Sequence, residues 1–422
     1  MSTNVVIIGA GLMGLTTAYW LNAAGASVHV VDSAPGPGLG VSFANGGMLT
    51  PSQANPWNAP GIANYALRSI GAEDSPFLIR WAAFPRLLRW GIDFLMNSRQ
   101  SSYRRNARRN FALGSYSLAR HREILAATEI ECGQARSGTL QVFRDLPALE
   151  NAFAIADFLS RDGLVYQRLD RAGLLAREPA LALGRSEHVG GLFFPEDDSG
   201  DAYRFCVGMA DYLVRAGVIF SYRTSVNSLE MRGRRIRAAR SDNGPIAADV
   251  FVIAAASRSS TLLHQLGIKS AIYPVKGYSA TIRGFGDVTD LRIPLVDMHR
   301  KVAITPLGDA LRIAGTAEFT GMDESIDAAR VAMLLRDAAE IVPGLEGLAP
   351  DRITSWAGLR PVTPTGFPLL GRRGRNLFLN AGHGPLGWTF AAGSGRIISD
   401  LVMHGRHELA GHELASLAIS AP

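Results

Sequence analysis

Residues 4–14 read NVVIIGAGLMG, an apolar run that breaks into three glycines spaced as GxGxxG. Asn4 to Ile8 has the continuous Val/Ile character of a parallel strand covered on both faces. LTTAYWLNAAG follows with helical character as far as Gly25, and a second apolar run, SVHVV, ends at Asp32. Strand, glycine turn, helix, strand and terminal acid make up a dinucleotide-binding βαβ unit in the context the motif requires. In this reading Gly9 makes the tight turn, Gly11 lets backbone approach a pyrophosphate, and Gly14 lets helix lie against strand. The helix start, through Ala10, Leu12 and Met13, offers unpaired N–H groups and a positive dipole end to the phosphates. Asp32, with Ser33 beside it, would accept hydrogen bonds from ribose hydroxyls. The motif by itself does not separate NAD from FAD.

The surrounding composition bounds the rest. At 422 residues and 47% apolar, the chain exceeds one ordinary domain, and two are expected. No internal repeat, low-complexity tract or long charge block interrupts it. Its two cysteines, Cys132 and Cys206, have neither metal-type spacing nor a disulfide framework, which fits a reducing cytosol. The chain reaches its first strand at Asn4, so no signal peptide is expected. The net charge is +6, yet Lys269, Lys276 and Lys301 are the only lysines, and no basic patch interleaved with aromatics follows a nucleic-acid-binding motif.

Beyond Asp32, residues 33–57 show no helical period. Ser42, Ala44, Asn45, Gly46 and Gly47 are small enough for backbone to pack on a flat ligand. At the far end, residues 380–395, NAGHGPLGWTFAAGSG, hold five glycines in sixteen positions, and a helix, GWTFAAGSGRIISDLVMHG, grows out of them. Between lie a helix-like DAYRFCVGMADYLVRAG, a strand pair in VIFSYRTSVNSLE, and further strands in DVFVIAAAS and NLFLNAG.

VIIGAGLMG, SFANGGMLTPSQANPW, PVKGYS, KVAITPLGDALRIAGTAEF, WAGLRPVTPTGFPLLG and NLFLNAGHGPLGWTFAAGSG occur in this order across nearly the whole chain. Together they resemble the glutathione-reductase-type FAD oxidoreductases of the D-amino-acid oxidase, glycine oxidase and sarcosine oxidase group, and most of all the bacterial D-amino-acid dehydrogenases. The resemblance implies an α/β fold. An FAD-binding Rossmann domain (1–55, 200–270 and 345–422) would interleave with an α+β substrate domain (56–199 and 271–344) whose sheet is mainly antiparallel. It places the flavin's pyrimidine end over the start of the last helix, with backbone at Gly382, His383, Gly384, Gly387, Trp388 and Thr389 facing N1 and O2. It adds Gly358 to the cofactor-binding residues, with Met48 at the flavin face and Val226 beside the adenine. Ala254 and Ala255, with Ala256, replace a turn that is usually glycine-bearing. Two-electron reduction leaves negative charge near flavin N1, which a helix N-terminus stabilises, whereas a reduced nicotinamide is neutral. Flavin is therefore expected, and noncovalently bound, since no cysteine follows Cys206.

For the substrate, the resemblance gives Arg360 of the GLRP motif the carboxylate, a task suited to a planar bidentate fork. Tyr278 would donate a second hydrogen bond or close the pocket, the alternative being a half-buried strand tyrosine. His383 acts through its backbone or as a base, and Met48 lines the pocket or the core. His299, with Met298 and Arg300, stands where the relatives usually carry an acid and a tyrosine. Lining the pocket, it would turn preference toward a cyclic imino acid or an acidic side chain; facing solvent, it has no such role. The expected reaction is oxidative deamination of a D-amino acid by hydride transfer from Cα to flavin N5, with electrons passed to a quinone or other acceptor. The rivals are a D-hydroxyproline dehydrogenase, a glycine- or sarcosine-type oxidase, and a noncatalytic FAD subunit of a complex. No metal is expected.

Residues 76–110 alternate apolar and aromatic residues with Arg80, Arg86 and Arg89, and continue into Arg99, Arg104, Arg105, Arg108 and Arg109. Pro85 and the charges break every run long enough to span a bilayer. An interfacial helix on the inner face of the cytoplasmic membrane competes with a helix of one buried face and a solvated basic tail, and the second is preferred.

Overall fold

A computed structural model of the chain describes residues 2–411. Asn4–Ile8 forms the expected strand, Leu12–Ala23 the helix and Ser27–Val31 the second strand. They enter a six-stranded sheet ordered Leu369–Arg372, Leu377–Ala381, Val250–Ile253, Asn4–Ile8, Ser27–Val31, Ile219–Ser221. All pairs are parallel except the first. The strand order reverses direction at Asn4–Ile8, and ligands gather beyond the carboxyl ends of such a switch point.

A second, nine-stranded sheet runs Ile353–Val362, Tyr273–Arg283, Ala310–Phe319, Val302–Leu307, Leu295–Asp297, Thr139–Phe143, Gly190–Phe194, Gln167–Asp170, with Phe77–Ile79 paired to Ala310–Phe319. It is antiparallel apart from the Phe77–Ile79 and Leu295–Asp297/Thr139–Phe143 pairings. Ile353–Val362, grouped by sequence with the dinucleotide-binding segments, is thus hydrogen-bonded into the other sheet.

Three helices tie the ends of the chain together. Leu12–Ala23 and Gln100–Thr128 both pack on the final helix, Gly387–His404. Thr16 Oγ1 donates to the Ala391 carbonyl at 2.8 Å and Trp20 Nε1 to that of Ala392 at 3.0 Å. A Cβ on Gly395 would come within 2.7 Å of the Thr16 backbone, and one on Gly393 within 2.8 Å of Ser117 Cβ. The glycines deep in this helix therefore serve helix–helix approach; only those at its start face a ligand space.

Candidate active site

One cavity of about 1500 Å³ lies between the carboxyl edge of the six-stranded sheet and one face of the nine-stranded sheet. A small-molecule site measures roughly 300–1,000 Å³, so this hollow has room for a dinucleotide and a substrate together.

On its first wall, Gly9 adopts φ +117, and a Cβ there would lie 2.5 Å from the Ala254 carbonyl oxygen. A Cβ on Gly14 would sit 1.8 Å from the Gly9 oxygen, so helix and strand touch only through glycine. Asp32 accepts from the amides of Ala10 (2.6 Å) and Ala34 (2.8 Å), and so braces the turn it faces. Gly9, Gly11, Leu12, Met13, Asp32 and Ser33 border the cavity; Ala10 and Gly14 stand behind that wall. Helix Leu12–Ala23 has no side-chain N-cap, and neither has Gly387–His404. At the first, only the Leu12 amide meets a side chain, Ser42 Oγ at 3.3 Å, so two helix N-termini open on one space, as a ligand with a phosphate at one end and a reducible ring at the other requires.

The loop after Asp32 packs on the second sheet. Arg312 Nη1 donates to the Asn45 carbonyl at 2.8 Å, and Thr305 Oγ1 to that of Gly46 at 2.7 Å. Ser42, Asn45, Gly46 and Met48 border the cavity, whereas Gly47 turns against Leu307 and Thr305. Val226, Ala254, Ala255 and Gly358 border it too. Ala256 takes a left-handed φ of 46, the conformation that a glycine-bearing turn would adopt without strain. His383, Gly384, Gly387, Trp388 and Thr389 line the far end, with Gly382 just behind them against Thr363.

Arg360 is the central group of the substrate side. Strand register pairs Val275 with Arg360 and Gly277 with Gly358, so the guanidinium leaves the sheet on the face of Gly277. It crosses that glycine, where a Cβ would be 2.0 Å from Nη1, and donates to the carbonyls of Thr316 (2.7 Å) and Gly315 (3.2 Å). No carboxylate pairs with it among the described residues, and burial lowers its pKa to about 10.

Tyr278 and His299 do not join Arg360, and each takes the second of the two places the sequence left open to it. Tyr278 falls on the face away from Arg360, in register with Ala357, and its hydroxyl donates to Glu318 Oε2 at 2.7 Å. Glu318 also pairs with Arg80 at 2.5 Å. That tyrosine still borders the cavity, but its side chain leaves the strand on the face opposite Arg360 and its hydroxyl is taken up by Glu318. His299 is exposed in the turn 298–301 and does not border the cavity; its neighbours Met298 and Lys301 do. His383 keeps its place, but Nε2 meets Ser394 Oγ at 3.1 Å and burial pushes its pKa down to about 3. Its imidazole is neutral and engaged. Both cysteine thiols are buried with pKa values pushed up, Cys132 to about 11, and neither borders the cavity. Arg80, read as part of a basic surface, is instead held by Glu318, Glu73 and Asp327.

Sequence reasoning missed the breadth of the hollow. Gln141, Phe143, Leu192 and Phe194 line it from strands far from Arg360, with helix Leu146–Ser160 covering them. Only the pairing order of the second sheet brings these segments together.

This architecture is that of a two-sheet flavoprotein, and the chain belongs to the family of FAD dependent oxidoreductases, whose model matches residues 4–401. FAD is its cofactor. Among curated proteins it is similar to a D-amino acid dehydrogenase of Rhizobium rhizogenes, 40% identical over 96% of this chain and 97% of that one. A second, from Rhizorhabdus wittichii, is 40% identical over 97% and 99%. Among solved structures, the fold is shared with a glycine oxidase from Geobacillus kaustophilus (TM-score 0.74, 23% identity, 99% of each chain). It is shared also with an L-amino acid deaminase from Proteus vulgaris (TM-score 0.74, 16% identity, 96% and 94%).

Proposed function

We propose that the protein is an FAD-dependent dehydrogenase that oxidises a D-amino acid to the imino acid, which water converts to a 2-oxo acid and ammonia. The observation that carries this reading is a half-buried, acid-free Arg360 in the same cavity as two uncapped helix N-termini. Arg360, fixed through the Gly315 and Thr316 carbonyls, keeps N–H groups for the substrate carboxylate and so sets where the α-carbon lies. The amides of Gly384, Gly387 and Trp388 stabilise negative charge beside them without reorganising. His383 is the only histidine bordering the cavity among the described residues, and it is held neutral by Ser394 and burial. No imidazole base is needed if the substrate binds with its amine neutral. FAD, when bound, supplies the two-electron acceptor for the hydrogen leaving the α-carbon.

Anaerobic addition of D- and L-amino acids, prolines and N-methylglycine to the holoprotein, followed by flavin absorbance, tests the reading. Bleaching by D-amino acids is expected. Bleaching only by prolines or N-methylglycine would transfer the assignment to those substrates, and no bleaching by any of them would leave a noncatalytic flavoprotein.

A quinone-type acceptor in a membrane is the finer proposal for the electrons. Helix Phe84–Met96 buries Leu87, Trp90 and Phe94 yet exposes Phe84, Leu88, Ile92, Leu95 and Met96, with Arg86 and Arg89 between them. Trp81 is 71% exposed beside it. Tyr65, exposed on the neighbouring helix Ile62–Arg68, borders the cavity as well. A second apolar face of this kind, next to the cavity and rimmed by arginines, fits peripheral contact with an anionic lipid surface better than a solvated helix. No helix is long and apolar enough to cross a membrane among the described residues.

A further inference from the structure

Besides Arg360, the same cavity is bordered by Arg258, just past the end of the first sheet's strand Val250–Ile253, and by a cation on the second sheet that the proposed reaction does not use. Lys301 borders it, at the end of the turn that leads into Val302–Leu307. Its side chain is exposed, yet protein surrounds the ammonium closely enough for burial to lower its pKa. A lysine on an outer surface has the first property without the second, whereas one reaching into an internal hollow has both. No hydrogen bond or ion pair engages this ammonium among the described residues. Asp297 is the nearby acid, but Arg144 (2.5 Å) and the amides of His299 (2.7 Å) and Arg300 (3.1 Å) already occupy its carboxylate.

The position of Lys301 relative to Arg360 follows from the ladder. Val302 pairs with Gly315, and the Lys301 carbonyl lies 3.1 Å from where a Cβ on Gly315 would stand. Gly315 and Thr316 are the residues whose carbonyls receive the Arg360 guanidinium. Lys301 therefore leaves the backbone one strand spacing, about 4.8 Å, from the carbonyls that anchor Arg360. Both residues at this crossing are left-handed without being glycine, Lys301 at φ 57 and Thr316 at φ 58. Such strain persists where the side chain has a use that glycine could not supply. The acids bordering the cavity do not neutralise the pair: Asp32 is turned to backbone amides, and Glu324 forms no ion pair with either cation.

We infer that Lys301 forms a side-chain subsite for an acidic D-amino acid of the aspartate or glutamate class, its ammonium taking the distal carboxylate while Arg360 takes the α-carboxylate. This deepens the D-amino-acid reading and rests on it. Two cations without acid partners on one sheet, both bordering the cavity, favour a ligand with two negative charges over one with a single charge.

Two measurements on the holoenzyme decide it. The first is kcat/KM for D-glutamate, D-aspartate, D-alanine and D-lysine in the natural protein and in Lys301→Met and Lys301→Gly. The second is the dissociation constant of glutarate against that of butyrate, read from perturbation of the flavin spectrum. An acidic substrate should be preferred over D-alanine by about tenfold or more, and glutarate should bind more tightly than butyrate by a similar factor. Both preferences should vanish in Lys301→Met. In Lys301→Gly they should vanish while the thermal midpoint rises, because the left-handed turn is then unstrained. Unchanged preferences in both variants would overturn the inference, as would equal losses for D-alanine and D-glutamate. If no D-amino acid bleaches the flavin, the parent reading fails, while glutarate titration still tests Lys301. If D-alanine is oxidised without any acidic preference, only the subsite fails.

Discussion

Arg360 depends on a residue that never touches substrate. The guanidinium lies across Gly277, and a methyl group there would stand 2.0 Å from Nη1. Arg360→Ala should lower kcat/KM about 100-fold, ~3 kcal/mol, mainly through KM. Gly277→Ala should give the same pattern without removing any charge, because the arginine is displaced from the Thr316 carbonyl. Steady-state kinetics on flavin-saturated protein checks both, and a Gly277→Ala variant with natural kinetics would show that the arginine need not cross the strand there. Arg360 was legible in the sequence because its GLRP motif carries the resemblance. The Glu318 partner of Tyr278 and the exposure of His299 were not, since the face a strand residue takes depends on register and a turn residue's outlook depends on what packs over it.

At the scale of elements, the last helix was bounded closely by its sequence: GWTFAAGSGRIISDLVMHG became Gly387–His404, with Gly405 closing it at φ 72. The use of its inner glycines was not legible, because a close helix crossing leaves no local signature. Gly395→Ala forces a Cβ to within 2.7 Å of the Thr16 backbone and should destabilise the protein by about 1–3 kcal/mol in denaturant unfolding. Helix Phe84–Met96 shows the opposite limit. Its alternation of Arg with apolar residues was visible, but not that apolar side chains would remain outside. Leu88→Glu with Ile92→Glu should abolish flotation with anionic vesicles at low salt while leaving flavin bleaching by substrate intact. Equal flotation of natural and substituted proteins would place any lipid contact elsewhere.

For the whole molecule, buried histidines predict an acid-sensitive fold. Burial pushes His121 to about 4 and His383 to about 3, against about 6.5 in an unfolded chain. Between these values the unfolded state binds the extra protons, so stability should fall as pH drops from about 6.5 toward 4. Asp197 works the other way: burial raises its carboxyl to about 7 despite hydrogen bonds from Ser52 and Thr139, and it keeps a proton in that window. Burial also lowers His29, His188 and His407 and raises Asp337 and Asp400, so five imidazoles against three carboxyls leave a net acid loss. Denaturant unfolding of the apoprotein at pH 4.5 and 6.5 checks it, and His121→Phe should shrink the difference.

Thr16 and Trp20 grip carbonyls at 391 and 392, and the Trp20 contact spans 372 residues of chain. The ribosome needs roughly 20–70 s to make that length. Until the last helix emerges, the pyrophosphate turn has no opposite wall, so a nascent or prematurely terminated chain is born unable to hold its pigment. Yellow colour in cell extract thus reports completed synthesis, and a stop codon anywhere before residue 387 should yield a colourless product whatever the rest of the chain does.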